Sequence, residues 1–409
     1  MRAFVLTISF LLVIGCGSDP ELPLVSDDTR AALDKVLRSA VGAGEVPGVV
    51  AMVVDRDNVL YSNAVGVMDS AGTEAMRPDA IFRIASMTKP VTSLGIMILQ
   101  EEGLLSLDDP ASDYLPELAD REVLVSADPA NSSVKTRPAS RPITIRDLLS
   151  HTSGLGYMFS SPELLEVSKS TSNPAREYPI LHDPGTRWTY GMSTAFLGWI
   201  IEEVSDHSLP EFLASRITDP LGMTDTSFDL APENHGRLVA AYRRVDTGLE
   251  GQPRPDQYQP TVRGDGGLLS TAGDYARFIQ LILGGGKRGA IRVVSETSIS
   301  EMAQNQLEGI TVVEQPAALP NWTRAFPLGA GKDGFGLGFQ VSAGQSVGGR
   351  PPGTLSWGGI YNTHFWIDPA NGIGVVLLLQ LLPFYDEKVI DLMTTFERTL
   401  YDGNANVGD

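Results

Sequence analysis

The sequence predicts an α+β fold: one α+β domain built from both chain ends, with a mainly helical domain inserted between them. Three observations carry this expectation. Strand-like runs at 48–54 and 59–67 flank the turn former Asp55-Arg56-Asp57-Asn58, a hairpin signal near the start of the chain. A second hairpin signal lies near its end, where 363–367 and 373–379 flank residues 368–372. Between them, residues 111–330 hold many Pro and Gly breaks and short helical patterns. The expected organisation is a signal peptide over 1–15, a tether over 16–27, an α/β domain from 28–110 and 331–402, and a helical domain over 111–330.

The first residues read as a processing signal. Arg2 precedes the apolar run 3–14, which is too short to span a bilayer and suits a secretory h-region. Val13-Ile14-Gly15-Cys16 resembles the bacterial lipobox, which makes Cys16 the expected lipidation site and the membrane a partner through its anchor. Several acyl chains give stable anchoring, whereas one is marginal. Gly17 rather than Asp after the cysteine points, by analogy, to the outer membrane on its periplasmic side. Cys16 is the only cysteine, so no disulfide framework exists.

Leu33, Val36, Leu37, Ala40 and Val41 follow helical spacing and predict a helix over 28–43, capped by Asp27 or Asp28 and stopped by Gly42, Gly44 and Pro47. Shorter helices are expected over 196–204 and 275–283, the latter opened by Thr271 with Asp274 three residues on, in capping-box spacing. A closing helix is expected over 387–401, with Val389, Ile390, Met393 and Phe396 on one face. The 409 residues are 42% hydrophobic and 20% charged, ordinary for a globular protein. Net charge is −19, from 31 basic and 50 acidic side chains, which opposes a nucleic-acid partner.

Ser86-Met87-Thr88-Lys89 is the stretch richest in chemistry. It stands just before the apolar run 91–99. Positions i and i+3 share a helix face, so the hydroxyl and the amine can touch. A serine alcohol needs a base to become a nucleophile, and a lysine kept partly neutral can be that base. Pro90 fits, because a missing N–H costs least near a helix start. A second copy of the spacing, Ser132-Ser133-Val134-Lys135, lies among turn formers with no apolar helix behind it and reads as a solvated loop. Tyr190, within Trp188-Thr189-Tyr190-Gly191-Met192-Ser193, is either a proton relay for the lysine or a half-buried core residue. Trp357-Gly358-Gly359-Ile360 follows an expected strand at 354–357, and its paired glycines mark a bulge or a close backbone approach. In the second case the N–H groups of Ile360 and Ser86 form an oxyanion hole, where losing one donor costs on the order of 10²–10³ in rate.

Together these segments resemble the penicillin-recognising serine hydrolases: class C β-lactamases, low-molecular-weight D,D-peptidases and, most of all, family VIII carboxylesterases. The motifs stand in that family's order at 86–89, 190–192 and 357–359, and 149–155 and 266–272 also look like family sequence. The similarity runs from about residue 28 to 400. It implies an antiparallel sheet flanked by helices plus a helical domain (a β-lactamase-like α+β fold) with the site between them, Ser86 as nucleophile, Lys89 as base and Tyr190 as relay, and no cofactor. Which of Lys89 and Tyr190 takes the first proton stays open, so the pair is one titrating unit. Two departures set the expected substrate. Met192 stands where the lactamases and peptidases carry an amide, and Trp357 stands where they carry a cation. Losing one charged hydrogen bond of that kind costs roughly 1.5–3 kcal/mol. With Gly358 and Gly359, Met192 and Trp357 form an apolar wall, which favours a small, uncharged, moderately hydrophobic ester as partner. The alternatives are an amide hydrolase of the β-lactamase or D-alanyl-D-alanine peptidase type, and a non-catalytic binder of an envelope ligand.

Other patterns carry less. Gly344-Gln345-Ser346-Val347-Gly348 fits a nucleophile elbow, but Gly349, Pro351, Pro352 and Gly353 forbid the helix such an elbow needs. Histidines 151, 182, 207, 235 and 364 show no metal-binding spacing, and His151 reads as structural or capping. Gly284-Gly285-Gly286-Lys287 lacks the flanking strand and helix of a phosphate loop.

Overall fold

The computed structural model describes residues 25–405. The expected signal peptide and Cys16 lie outside the described residues. Helix α1 spans Asp27–Gly42 and buries Leu33, Leu37 and Ala40. Its cap is Ser26, whose hydroxyl accepts the Thr29 N–H at 3.1 Å. The expected caps Asp27 and Asp28 fall instead in the first turn, where carboxylates favour the positive helix end.

Strands β1 (Gly48–Asp55) and β2 (Val59–Gly66) form the first hairpin. Strands β3 (Gly334–Phe335), β4 (Gln340–Val341), β5 (Leu355–Gly359), β6 (Thr363–Asp368) and β7 (Ile373–Leu378) come from the far end of the chain. They join in one antiparallel sheet of order β3-β4-β5-β6-β7-β1-β2. Val50 pairs with Leu378 across the seam between the two chain ends.

Both faces of this sheet are covered, which is why β1 reads as a continuous apolar run. Val49, Ala51 and Val53 share a core with Trp366, Val375 and Leu377, closed by α1 and by the last helix, α5 (Glu387–Ala405). Val50, Met52 and Val54 face the larger core with Phe365, Val376 and Leu378. Helices α2 (Thr88–Glu101), α3 (Ser193–Ser205) and α4 (Ala272–Leu283) belong to that second core. Thr271 caps α4 through the Asp274 N–H at 3.1 Å, while the Asp274 carboxylate turns to the Asp225 N–H and the Thr226 hydroxyl.

The middle of the chain is less helical than its breaks suggest. Helix α4 packs directly on β1 and β7, and Glu122–Asp128 pairs with Ser133–Pro138 as a hairpin. The second Ser-x-x-Lys copy is therefore this hairpin's turn and second strand, not an open loop. Ser132 takes φ +48° at the turn, and Lys135 lies opposite Ser126. The elbow-like Ser346 is not on a helix approach either. Its hydroxyl donates to Glu397 on α5, and Arg350 Nε lies 3.0 Å from the same carboxylate, so the loop is pinned to the closing helix. No helix of the described residues is long and apolar enough to cross a membrane.

Candidate active site

Ser86 sits in a single tight turn, Ala85–Met87, that runs into α2. Ala85 is held at φ +45°, a conformation that costs a non-glycine residue on the order of 1–3 kcal/mol and is kept only where the surroundings demand it. The surroundings here are specific. The Tyr275 hydroxyl donates to the Met87 carbonyl at 3.0 Å, and the Thr363 hydroxyl donates to the Ile84 carbonyl at 3.2 Å. The end of β5 is pressed against the same turn. A Cβ added at Gly359 would collide with the Ile84 carbonyl oxygen and the Thr363 hydroxyl. Pairing runs unbroken from Leu355↔Ile367 to Gly359↔Thr363, so the paired glycines mark a close approach and not a bulge. Ile360 follows β5 directly and is half-buried against the larger core.

Lys89 is the second residue of α2 and is 1% exposed. Its Nζ stands 3.2 Å from the Ser86 hydroxyl oxygen, 3.2 Å from the Tyr157 hydroxyl and 2.8 Å from the Asp265 carbonyl oxygen. Burial disfavours the charged ammonium and lowers its pKa to about 7; Asp265 opposes this and Arg263 adds to it. The lysine is thus partly neutral at physiological pH. Tyr190 is also buried, and its hydroxyl is hydrogen-bonded with Ser86 and accepts the Trp357 indole N–H at 3.3 Å. Burial pushes its pKa up, so the phenol holds its proton at rest. Lys89 Nζ lies 4.6 Å from the Tyr190 ring centroid. Ser86, Lys89, Tyr190 and Trp357 are therefore one constellation. Met192, two residues past Tyr190 at the start of α3, is buried in the same core.

Three neighbours of Lys89 have no signature in the sequence. Tyr157 touches the amine and donates its own proton to the Asp265 carboxylate. Asp265 is held in a two-pronged pair with Arg263, at 2.8 Å from Nε and 2.6 Å from Nη2. All lie on irregular segments, 68 and 176 residues from Lys89 in the case of Tyr157 and Asp265. The only local cue is the glycine spacing around Asp265. A Cβ at Gly264 would collide with the Thr194 carbonyl, and the Gly264 carbonyl accepts the Thr92 hydroxyl at 2.8 Å, so this turn is wedged between α2 and α3.

Aromatic rings wall the site. Tyr190 meets Trp357 at 4.8 Å, Tyr157 at 5.4 Å and Phe326 at 5.7 Å between centroids, and Phe159 stacks on Tyr157 at 4.8 Å. His151 packs behind Tyr190 at 5.0 Å. It is fully enclosed, and burial drives its pKa well below the usual histidine range. Held neutral, it supports the tyrosine by packing. Among the described residues no cluster of His, Cys, Asp or Glu is placed to hold a metal ion.

Sequence and structure comparisons agree with this fold. The family model described as Beta-lactamase matches residues 33–397. The chain is similar to Protein Rv1367c of Mycobacterium tuberculosis, 34% identical with 85% of this chain and 89% of that protein covered. It is also similar to a lovastatin esterase of Penicillium rubens, 30% identical over 90% of this chain and 98% of that protein. Its fold matches the LovD6 variant of simvastatin synthase from Aspergillus terreus with a TM-score of 0.80, at 26% identity and with 93% and 99% of the two chains covered. With that model matched over most of its length, the chain belongs to the Beta-lactamase family.

Proposed function

We propose that this protein is a carboxylesterase that cleaves small, uncharged, moderately hydrophobic esters through an acyl-enzyme on Ser86. The observation that carries the reading is a buried, partly neutral Lys89 amine 3.2 Å from the Ser86 hydroxyl. Ser86 Oγ attacks the ester carbonyl carbon while its proton passes to the Lys89–Tyr190 unit. The N–H groups of Ser86 and Ile360 receive the negative oxygen. Collapse expels the alcohol, which takes its proton from Tyr190. Water then attacks the acyl-enzyme by the same steps and releases the acid.

Substrate class follows from what the pocket offers. Trp357 supplies no cation for a carboxylate, and its one N–H is engaged by Tyr190. Met192 supplies no amide. The lovastatin esterase relative supports ester rather than lactam chemistry. Transfer of the acyl group to an alcohol is a second reading, favoured by the aromatic wall that keeps the site poor in water.

A paired assay tests both. The native enzyme should turn over a chromogenic short-chain ester faster than a chromogenic cephalosporin, and Ser86→Ala should remove the ester activity. Ester turnover that survives the substitution refutes the mechanism. Faster cephalosporin turnover makes the protein an amide hydrolase, and activity on neither makes it a binder. Added alcohol should divert product from acid to new ester if transfer operates. We also propose Cys16 as a lipid anchor to the cell envelope. Cys16→Ser should leave an unprocessed or soluble protein; unchanged membrane fractionation and gel mobility would refute the anchor.

A further inference from the structure

We infer that Arg263 and Asp265 form a matched charge pair that locks Tyr157 and, with it, aims the lone pair of Lys89 at Ser86. The three are positioning residues, and the inference rests on the assignment of Ser86 as nucleophile and Lys89 as its base.

A neutral primary amine has two N–H bonds and one lone pair, and only the lone pair can take a proton. Nζ of Lys89 has three polar neighbours. The Asp265 carbonyl can only accept, so it takes one N–H. Tyr157 directs its O–H at the Asp265 carboxylate, which leaves the lone pairs of its oxygen to accept the second N–H. The remaining tetrahedral direction points at Ser86, whose hydroxyl must then donate. Without Tyr157 as acceptor, rotation about the Cε–Nζ bond is free to turn an N–H toward Ser86, which is the unproductive arrangement.

This arrangement needs a carboxylate beside the lysine, and that has a cost. A buried negative charge favours the ammonium form and removes the base. Arg263 answers it with a two-pronged pair on both Asp265 oxygens. The groups facing Lys89 are Ser86, Tyr157, Tyr190, Asp265 and Arg263, with neutral His151 behind them. Asp265 and Arg263 act on Lys89 in opposite directions. Burial is then left to set the amine near neutrality. One residue, Asp265, supplies both the carbonyl on Lys89 and the carboxylate on Tyr157, so the wedged turn aligns the two contacts together.

The test is the rate at which a p-nitrophenyl alkylphosphonate inactivates the enzyme, followed by p-nitrophenolate release across pH. Ser86 Oγ bonds to phosphorus, p-nitrophenolate leaves, and the Ser86 proton goes to Lys89, so this step reads the base without deacylation. Asp265→Asn should move the acid-limb midpoint down by about one pH unit and Arg263→Gln should move it up by about one, each tenfold in rate on the limb. Arg263→Lys should restore most of the native profile. Tyr157→Phe should lower the plateau rate tenfold or more at every pH, with no effect on how tightly a reversible ester analogue binds. Midpoints that stay fixed, or move the same way in Asp265→Asn and Arg263→Gln, overturn the inference while Ser86 is still labelled. Equal labelling of Ser86→Ala protein would instead overturn the underlying assignment. If Asp265→Asn does not fold, the half-exposed Arg263 pair of variants decides the sign alone.

Discussion

Lys89→Met is expected to lower ester turnover by roughly 10³–10⁴ while leaving the protein at least as stable as the native form. Methionine matches the length of the lysine stem and fills the same slot in the larger core. It removes the base that touches the Ser86 hydroxyl, and Tyr190, whose pKa burial raises, cannot replace it at neutral pH. The stability side follows from the same burial. A lysine whose pKa falls from 10.5 to about 7 on folding binds fewer protons in the native state than in the unfolded chain between those values. Its penalty is therefore complete below about pH 7 and fades as pH rises toward 10.5. Exchanging a buried ionic group for an apolar one gains about 1–4 kcal/mol where packing is kept. Urea unfolding of both proteins at pH 6 and pH 10 checks this: the advantage of Lys89→Met should be larger at pH 6. An advantage that grows with pH, or turnover within tenfold of native, would show that Lys89 is neither a strained base nor the relevant one.

Gly359→Ala is expected to cost 10²-fold or more in kcat and about 1–3 kcal/mol in stability, the range for overpacking a filled interior. The new methyl meets the Ile84 carbonyl and the Thr363 hydroxyl, so β5 must retreat from the turn that carries Ser86. That retreat carries the Ile360 N–H with it, and displacements of about 1 Å at a reacting centre cost on the order of 10² in rate. Gly358→Ala is the control. There the added atom lies 2.8 Å from Nδ1 of the buried His364 and 3.0 Å from the Thr363 carbonyl oxygen, so it also overpacks the sheet but does not touch the turn that carries Ser86. It should lose stability to a similar extent, with a kcat loss at least tenfold smaller than that of Gly359→Ala. Equal kcat losses from the two substitutions, read by ester kinetics beside urea midpoints, would remove the close approach as a requirement for activity.

Much of this molecule was legible where local spacing and tertiary structure ask for the same thing. The two hairpins are apolar runs joined by turn formers and the terminal helices repeat with the helical period, so both chain ends announced one α+β domain. Ser86 and Lys89 were legible because three residues on a helix is a contact by construction. Tyr190 and Trp357 needed the order of the motifs, since neither spacing alone brings them to the lysine. Tyr157, Arg263 and Asp265 were not legible. Their contacts cross between irregular segments, and such contacts leave no periodicity. The Ser26 cap was missed because two aspartates followed it, and aspartate suits both the cap and the first turn. The hairpin behind Ser132 was hidden by its solvent exposure: with Val125 60% exposed, no alternation of buried and open positions marks its strands.

The seam at Val50 and Leu378 also sets when this enzyme comes into being. Ser86 and Lys89 are made early, but the strand that packs against their turn begins only at Leu355. Pairing over more than three hundred residues is slow to form, because the long loop must close before any contact rewards it. A chain still leaving the ribosome, or one cut short, therefore carries Ser86 and Lys89 with no strand to work against. The surroundings of Ser86 are complete only once β5 and β7 have emerged and paired back to β1.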